Sequence, residues 1–157
     1  MIRKAIESDI DDILKLLIQV DMVHHNIRPD IFKGPATKYT KDELKEIIKD
    51  INRPIFVYFE NNHVLGYAFT IFIKHENDNV LTNIKTLYID DLCVDENERG
   101  KHIGHKLYDY VVEFAKENDC YNVTLNVWSG NDKAQRFYES LGLKPQKVGM
   151  EKILKWK

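Results

Sequence analysis

Between residues 55 and 94 three strand-like runs follow one another with no helical pattern between them. Ile55-Phe56-Val57-Tyr58-Phe59, then Val64 to Lys74, then roughly Ile84 to Val94 are rich in β-branched and aromatic residues. Asn61-Asn62-His63 turns the first run into the second, and the polar stretch His75–Asn83 returns the chain for the third. Connections this short join antiparallel neighbours, because a parallel pair needs a crossover of a dozen or more residues. An antiparallel meander therefore sits at the centre of the chain, and everything else must pack around it.

Helical patterns lie on both sides. After a short strand, Ile2 to Ile6, Ser8 is placed to cap a helix with Ile10, Ile13, Leu14 and Leu17 at helical spacing, ending near His24-His25. Residues 28–39 hold Pro29, Gly34 and Pro35 and read as a loop. Thr40-Lys41-Asp42-Glu43 is a capping box that opens a second helix with Leu44, Ile47, Ile48 and Ile51 as its apolar stripe. Downstream, residues 101–118 present Ile103, Leu107, Val111 and Phe114 on one face. Val123–Val127 reads as a strand, residues 133–141 as a helix closed by Gly142, and Leu143 to Leu154 as extended chain. The pattern is that of one α/β (α+β) domain over residues 1–157, with a mixed sheet.

Composition narrows the function. The 157 residues include 23 basic and 25 acidic ones, a formal charge of −2, which gives no electrostatic case for nucleic acid or a membrane surface. No stretch approaches the length of a membrane span, and no signal peptide is read at the start. The two cysteines, Cys93 and Cys120, are isolated thiols suited to a reducing compartment, so a cytoplasmic protein is expected.

The most informative stretch runs from Tyr88 to Gly104. An apolar strand, Asp90-Asp91-Leu92-Cys93-Val94, leads into Asp95-Glu96-Asn97-Glu98-Arg99-Gly100-Lys101-His102-Ile103-Gly104 and then a long helix. The first NH groups of a helix lack internal partners and carry the positive end of its dipole. Glycines let an anion approach them, and Arg99 and Lys101 add charge, so the segment suits a phosphate. A P-loop is excluded because no G-x-x-x-x-G-K-S/T run exists. A dinucleotide fold is excluded because the loop follows a meander, not the first strand of a parallel unit.

Arg99-Gly100-Lys101-His102-Ile103-Gly104 resembles the Q/R-x-x-G-x-G/A pyrophosphate loop of the GNAT superfamily of N-acetyltransferases. Asp90 to Val94 resembles that family's central strand, and Asn131-Asp132-Lys133-Ala134-Gln135-Arg136-Phe137-Tyr138-Glu139-Ser140-Leu141-Gly142-Leu143 its N-x-x-A-x-x-F-Y-x-x-x-G-F segment. The resemblance implies the GNAT fold: a strongly twisted, mostly antiparallel mixed sheet flanked by about four helices. It also implies an acetyl-CoA-dependent enzyme whose acceptor is a small-molecule or peptide amine, with no metal. A homodimer is compatible with it. His102 departs from the pattern, standing where the first motif glycine is usual. At helical angles its NH still points at the pyrophosphate, whereas φ > 0 would strain it.

The chemistry implied is attack by a neutral amine on a thioester. A lysine-like amine is neutral in only about one molecule in 2,500 at pH 7, so a nearby proton acceptor matters. Asp90 and Asp91 are the candidates. Strand alternation would turn only one of them to the acceptor side, although a bulge in this strand, common in the family, would undo that rule. Asp90 is favoured, with a purely structural carboxylate as the alternative. By resemblance, backbone NH groups of Leu92, Cys93 and Val94 hold the pantetheine arm and polarise the carbonyl. Arg99 to Gly104 hold the pyrophosphate, Asn131 caps its helix and contacts the donor, and Tyr138 protonates the leaving thiolate. Cys93 as a nucleophile is rejected, because it lies in an apolar strand near acids that raise a thiol pKa. His24, His25, Arg28 and Phe32 are candidates for the acceptor pocket. His102 and His105 lack further ligands for a metal. Two other readings share these motifs: a non-catalytic acyl-CoA sensor, and an acetyltransferase for protein α-amines.

Overall fold

The computed structural model describes residues 1–155. They form two compact units, Met1–Asn126 and the segment from Val127 on. The first contains β1 (Ile2–Lys4), α1 (Ile10–Ile27), α2 (Lys41–Lys49), β2 (Ile55–Glu60), β3 (His63–Lys74), β4 (Lys85–Val94), α3 (Ile103–Glu117) and β5 (Asn122–Leu125). The strands form one sheet in the order β1-β2-β3-β4-β5. The first three pairings are antiparallel and β4–β5 is parallel, so the expected mixed, mostly antiparallel sheet is present.

Period-two alternation sorts the strand side chains onto two faces. Ile55, Val57, Tyr67, Phe69 and Cys93 pack with Ile13, Leu17, Leu44 and Ile47 of α1 and α2. Their neighbours Phe56, Ala68, Leu87 and Ile89 pack with Val111 and Ala115 of α3. The sheet is thus sandwiched, with α1 and α2 over one face and α3 over the other.

Local chemistry explains most element ends. The Thr40 box forms as expected: Glu43 N donates to Thr40 Oγ1 at 3.1 Å, and Thr40 N to Glu43 Oε1 at 2.9 Å. Ser8 does not cap α1. A 3₁₀ turn, Glu7–Asp9, precedes the helix, and buried Asp9 takes the anchoring role instead. Its carboxylate accepts from Ile6 N at 2.8 Å and from Arg3 Nη1 and Nη2 at 2.7 and 3.1 Å. The helix also runs past His24-His25 to Ile27. Ile51 is not part of the α2 stripe, being 85% exposed. The helix stops at Lys49, and an Asp50 turn, in which Asn52 N donates to the Asp50 carboxylate at 2.9 Å, swings Ile51 outward.

The second unit holds α4 (Asp132–Ser140). Asn131 caps it, its Oδ1 accepting from Ala134 N at 3.3 Å. Gly142 closes it at φ 91°. Leu143 N donates to Tyr138 O and Gly142 N to Glu139 O, the two bonds of a Schellman motif. Residues 143–155 form no strand.

Candidate active site

The register of β3 against β4 breaks at one place. Phe69 pairs with Asp91 and Thr70 with Ile89, so Asp90 is an extra, unpaired residue: a β-bulge. A bulge cancels alternation, and here it brings both carboxylates to the α1–α2 side of the sheet. Asp91 sits opposite Phe69, and its Oδ2 accepts from Tyr67 OH at 2.6 Å. Asp90 Oδ1 accepts from Lys38 Nζ and Oδ2 from Tyr39 OH, both at 2.8 Å. The Tyr39 ring stacks on Phe69 at 5.5 Å. The bulge thus undoes strand alternation here, and both acids face this side.

The two acids live in different environments. Burial raises the Asp91 carboxyl to about 6, against the weaker opposing effects of the Tyr67 hydroxyl and the Lys38 charge. Asp90 has both oxygens engaged, one by an ammonium. Tyr39 is pushed up to about 12, first by burial and then by its bond to Asp90, so it stays a donor. Arg53 also donates to the Tyr39 hydroxyl at 3.1 Å. Cys93 is pushed up to about 12, by burial first and then by Asp91. With its thiol directed to Leu16 O at 3.6 Å, it is a core residue and no thiolate.

Beyond the bulge, β4 has a free edge. Pairing with β5 ends at Ile89↔Leu125, while Asp91 to Val94 pair only with β3. Alternate backbone groups of residues 90–94 therefore face away from β3, with no strand beside them among the described residues. The chain leaves this edge through a 3₁₀ turn, Glu96–Glu98, capped by Asp95, and reaches α3 through two left-handed residues. Gly100 has φ 87° and His102 φ 60°. His102 thus adopts a left-handed backbone and not helical angles, a strain that histidine tolerates better than most residues. Its side chain is exposed.

The first α3 bond runs from Lys106 N to His102 O, at 3.0 Å. The NH groups of Ile103, Gly104 and His105 donate to no acceptor among the described residues. Arg99 is exposed and has no ion-pair partner among them, whereas Lys101 pairs with Glu98. The sheet lets α3 start close to it because residue 66 is glycine. A Cβ there would meet Cys93 O at 3.0 Å, Ile103 Cγ2 at 3.1 Å and Leu107 Cδ1 at 3.1 Å. Two cavities, of about 320 and 240 Å³, lie beside Asp95–Glu98 and beside Tyr39. Neither is lined by residues 90–94 or 100–104.

A left-handed turn, free helix NH groups and a bulged, half-paired strand coincide on the motif residues. The family model for the acetyltransferase (GNAT) family matches residues 22–143, most of the chain. The chain belongs to the GNAT family. That family is one of acyl-CoA-dependent N-acetyltransferases. A mutant BH1408 protein from Bacillus halodurans has the same GNAT fold, with a TM-score of 0.93 and 28% identity over 98% of this chain and 99% of that one. Among named relatives, glucosamine 6-phosphate N-acetyltransferase of Candida albicans is 38% identical over 42% of this chain and 42% of its own length. Thialysine N-epsilon-acetyltransferase of Bos taurus is 27% identical over 90% of this chain and 82% of its own. The chain thus spans under half the length of the first of these enzymes.

The remaining candidates fall in two places. His24, His25, Arg28 and Phe32 gather where α1 meets the loop before α2. His25 Nδ1 lies 2.7 Å from Phe32 O, the His24 and Phe32 rings are 5.0 Å apart, and Arg28 pairs with Asp30 at 2.7 Å. Burial holds the His24 imidazole below its usual range. This loop also delivers Lys38 and Tyr39 to Asp90. In the second unit, Tyr138 is half-buried on α4 with its ring 5.1 Å from Phe137. His105 pairs with Asp109 at 3.3 Å. Among the described residues no group of three or more His, Cys, Asp or Glu could hold a metal ion, and no helix is long and apolar enough to cross a membrane.

Sequence reasoning missed Lys38, Tyr39, Arg53, Tyr67 and Gly66. Only Gly66 carried a local signal, since a lone glycine inside a strand marks close approach of another element. Lys38, Tyr39 and Tyr67 reach the acids across 24 to 52 positions of sequence, and Arg53 reaches Tyr39 across 14, spacings without periodicity.

Proposed function

We propose that this protein transfers the acetyl group of acetyl-CoA, its donor substrate, to a primary amine of a small molecule or peptide, by direct attack within one ternary complex. The observation that carries this reading is the unpaired β4 edge running into the left-handed turn at Gly100–His102 and the free NH groups of α3. Those groups suit a pyrophosphate: several donors converge with the positive end of a helix dipole, and Arg99 stands beside them. Residues Arg99 to Gly104 hold the pyrophosphate in this proposal. Those backbone NH groups of the Leu92–Val94 stretch that face away from β3 bond the pantetheine arm and polarise the thioester carbonyl.

Asp91 takes the amine's proton. A carboxyl raised to about 6 is ionised at neutral pH yet more basic than an ordinary aspartate, which favours general-base work. Asp90, its oxygens already occupied by Lys38 and Tyr39, ties the loop before α2 to the bulge and draws a cationic acceptor toward the site. The geometry thus favours the second acid over the first. Tyr138 gives a proton to the departing thiolate, and Asn131 supports the donor from the start of α4. The relatives named for glucosamine 6-phosphate and thialysine support an amine acceptor in general. The two free cysteines support a cytoplasmic site of action. A panel of amino sugars, diamines, amino acids and peptide N-termini, offered with acetyl-CoA while free thiol is followed, tests the reading. Thiol release dependent on at least one amine is expected, and release with none of them, despite donor binding, would refute transfer to these acceptors.

A further inference from the structure

One of the two bulge acids, Asp90, is already occupied by an amine from the chain itself. Lys38 Nζ donates to Asp90 Oδ1 at 2.8 Å, and its charge is felt at Asp91. Among the described residues no other lysine bonds either acid. The amine is delivered by a fixed anchor: the adjacent Tyr39 donates to the same carboxylate at 2.8 Å, stacks on Phe69, and is itself held by Arg53. Lys38 is nonetheless 48% exposed, so its ammonium is not locked in the core. Asp90 stands two residues before the backbone edge that receives the thioester in the reading above.

We propose that Lys38 is a modification site, the first acceptor of the acetyl group, acetylated within its own molecule. This inference rests on the acetyl-transfer reading. The Lys38 ammonium loses a proton by way of Asp91, and Nζ attacks the thioester carbonyl carbon of acetyl-CoA. The N–C bond forms and the C–S bond breaks. Of the two protons the nitrogen sheds, one reaches the thiolate and the other passes to solvent, leaving an acetamide and free CoA. The amide carries no charge, so the ion pair with Asp90 is lost. The carboxylate is then open to an external cationic amine, and the modification primes the site.

Peptide mapping by mass spectrometry of the purified protein incubated with acetyl-CoA tests this. Lys45 and Lys74, which are similarly exposed, report background reaction. Lys38 should be acetylated roughly 10²-fold faster than either, as expected of a held nucleophile, and at a rate independent of protein concentration. Lys38→Arg keeps the ion pair and should abolish the fast phase without changing CoA affinity. Labelling of Lys38 no faster than Lys45 and Lys74, a rate proportional to protein concentration, or a fast phase surviving in Lys38→Arg would each overturn the proposal. Calorimetric titration with CoA separates the two levels. Binding with Lys38 unmodified sinks this inference alone, whereas no binding sinks the acetyl-transfer reading with it.

Discussion

Replacing Asp91 by Asn should make the protein more stable and less active. The carboxyl is raised to about 6 from 3.8, chiefly by burial, so its ionised form is disfavoured in the fold. A raised acid binds more protons folded than unfolded between those two values, so its effect on stability worsens as pH rises from about 4 to 6 and is constant above. A rise of that size corresponds to about 3 kcal/mol at neutral pH. Asn carries no charge to desolvate and can still accept from the Tyr67 hydroxyl, which Asp91 now does at 2.6 Å. Allowing for loss of the charge-assisted part of that bond, a gain of about 1–3 kcal/mol is expected at pH 7.5. For a chain of this length that is roughly 2–12 °C in Tm. The gain should vanish near pH 4, where the parent carboxyl is protonated as well. Thermal and urea unfolding of both proteins at pH 4.5 and 7.5 reads the difference, and turnover with an accepted amine should fall by roughly 10²–10⁴. An Asp91→Asn protein less stable than the parent at pH 7.5, or a stability difference that does not change with pH, would refute the reasoning.

Gly66→Ala should destabilise by about 1–3 kcal/mol, since its Cβ meets the Cys93 carbonyl and Ile103, and should weaken CoA binding by displacing the start of α3; chemical denaturation and calorimetry on one sample check both. His102→Gly should stabilise by up to about 1 kcal/mol by relieving φ 60°, with CoA affinity kept, because the proposed pyrophosphate site is built of backbone groups; a loss of affinity would give the imidazole a direct role. Tyr138→Phe should keep CoA affinity and lower kcat by roughly 10²–10⁴, and near-parent turnover would remove its hydroxyl from the mechanism.

The meander, the capping box, the α3 face and the Asn131 and Gly142 helix ends were legible because each depends on residues within a few positions of one another. The start of α1 was not, because Ser8 and Asp9 are both plausible caps and the choice fell to Arg3, which holds Asp9 from β1. Ile51 was misplaced because a 3.6-residue stripe does not reveal that the helix has already ended. His102 was foreseen as the departure from the motif, but its conformation is set by the turn it occupies and not by its own preference. The acids were visible as a pair. What separates them, a bulge and the Lys38, Tyr39 and Tyr67 donors, is tertiary, and no spacing rule connects residues so far apart.

The cradle bears the central claim, and it is tested by titrating CoA into the parent and into Gly104→Val in a calorimeter, with folding verified by circular dichroism. A pyrophosphate held on the NH groups of Ile103, Gly104 and His105 needs open backbone at residue 104. The parent should bind CoA, and the folded variant should bind at least about tenfold more weakly, a loss of about 1.4 kcal/mol or more. Unchanged affinity in a folded Gly104→Val protein would contradict the account.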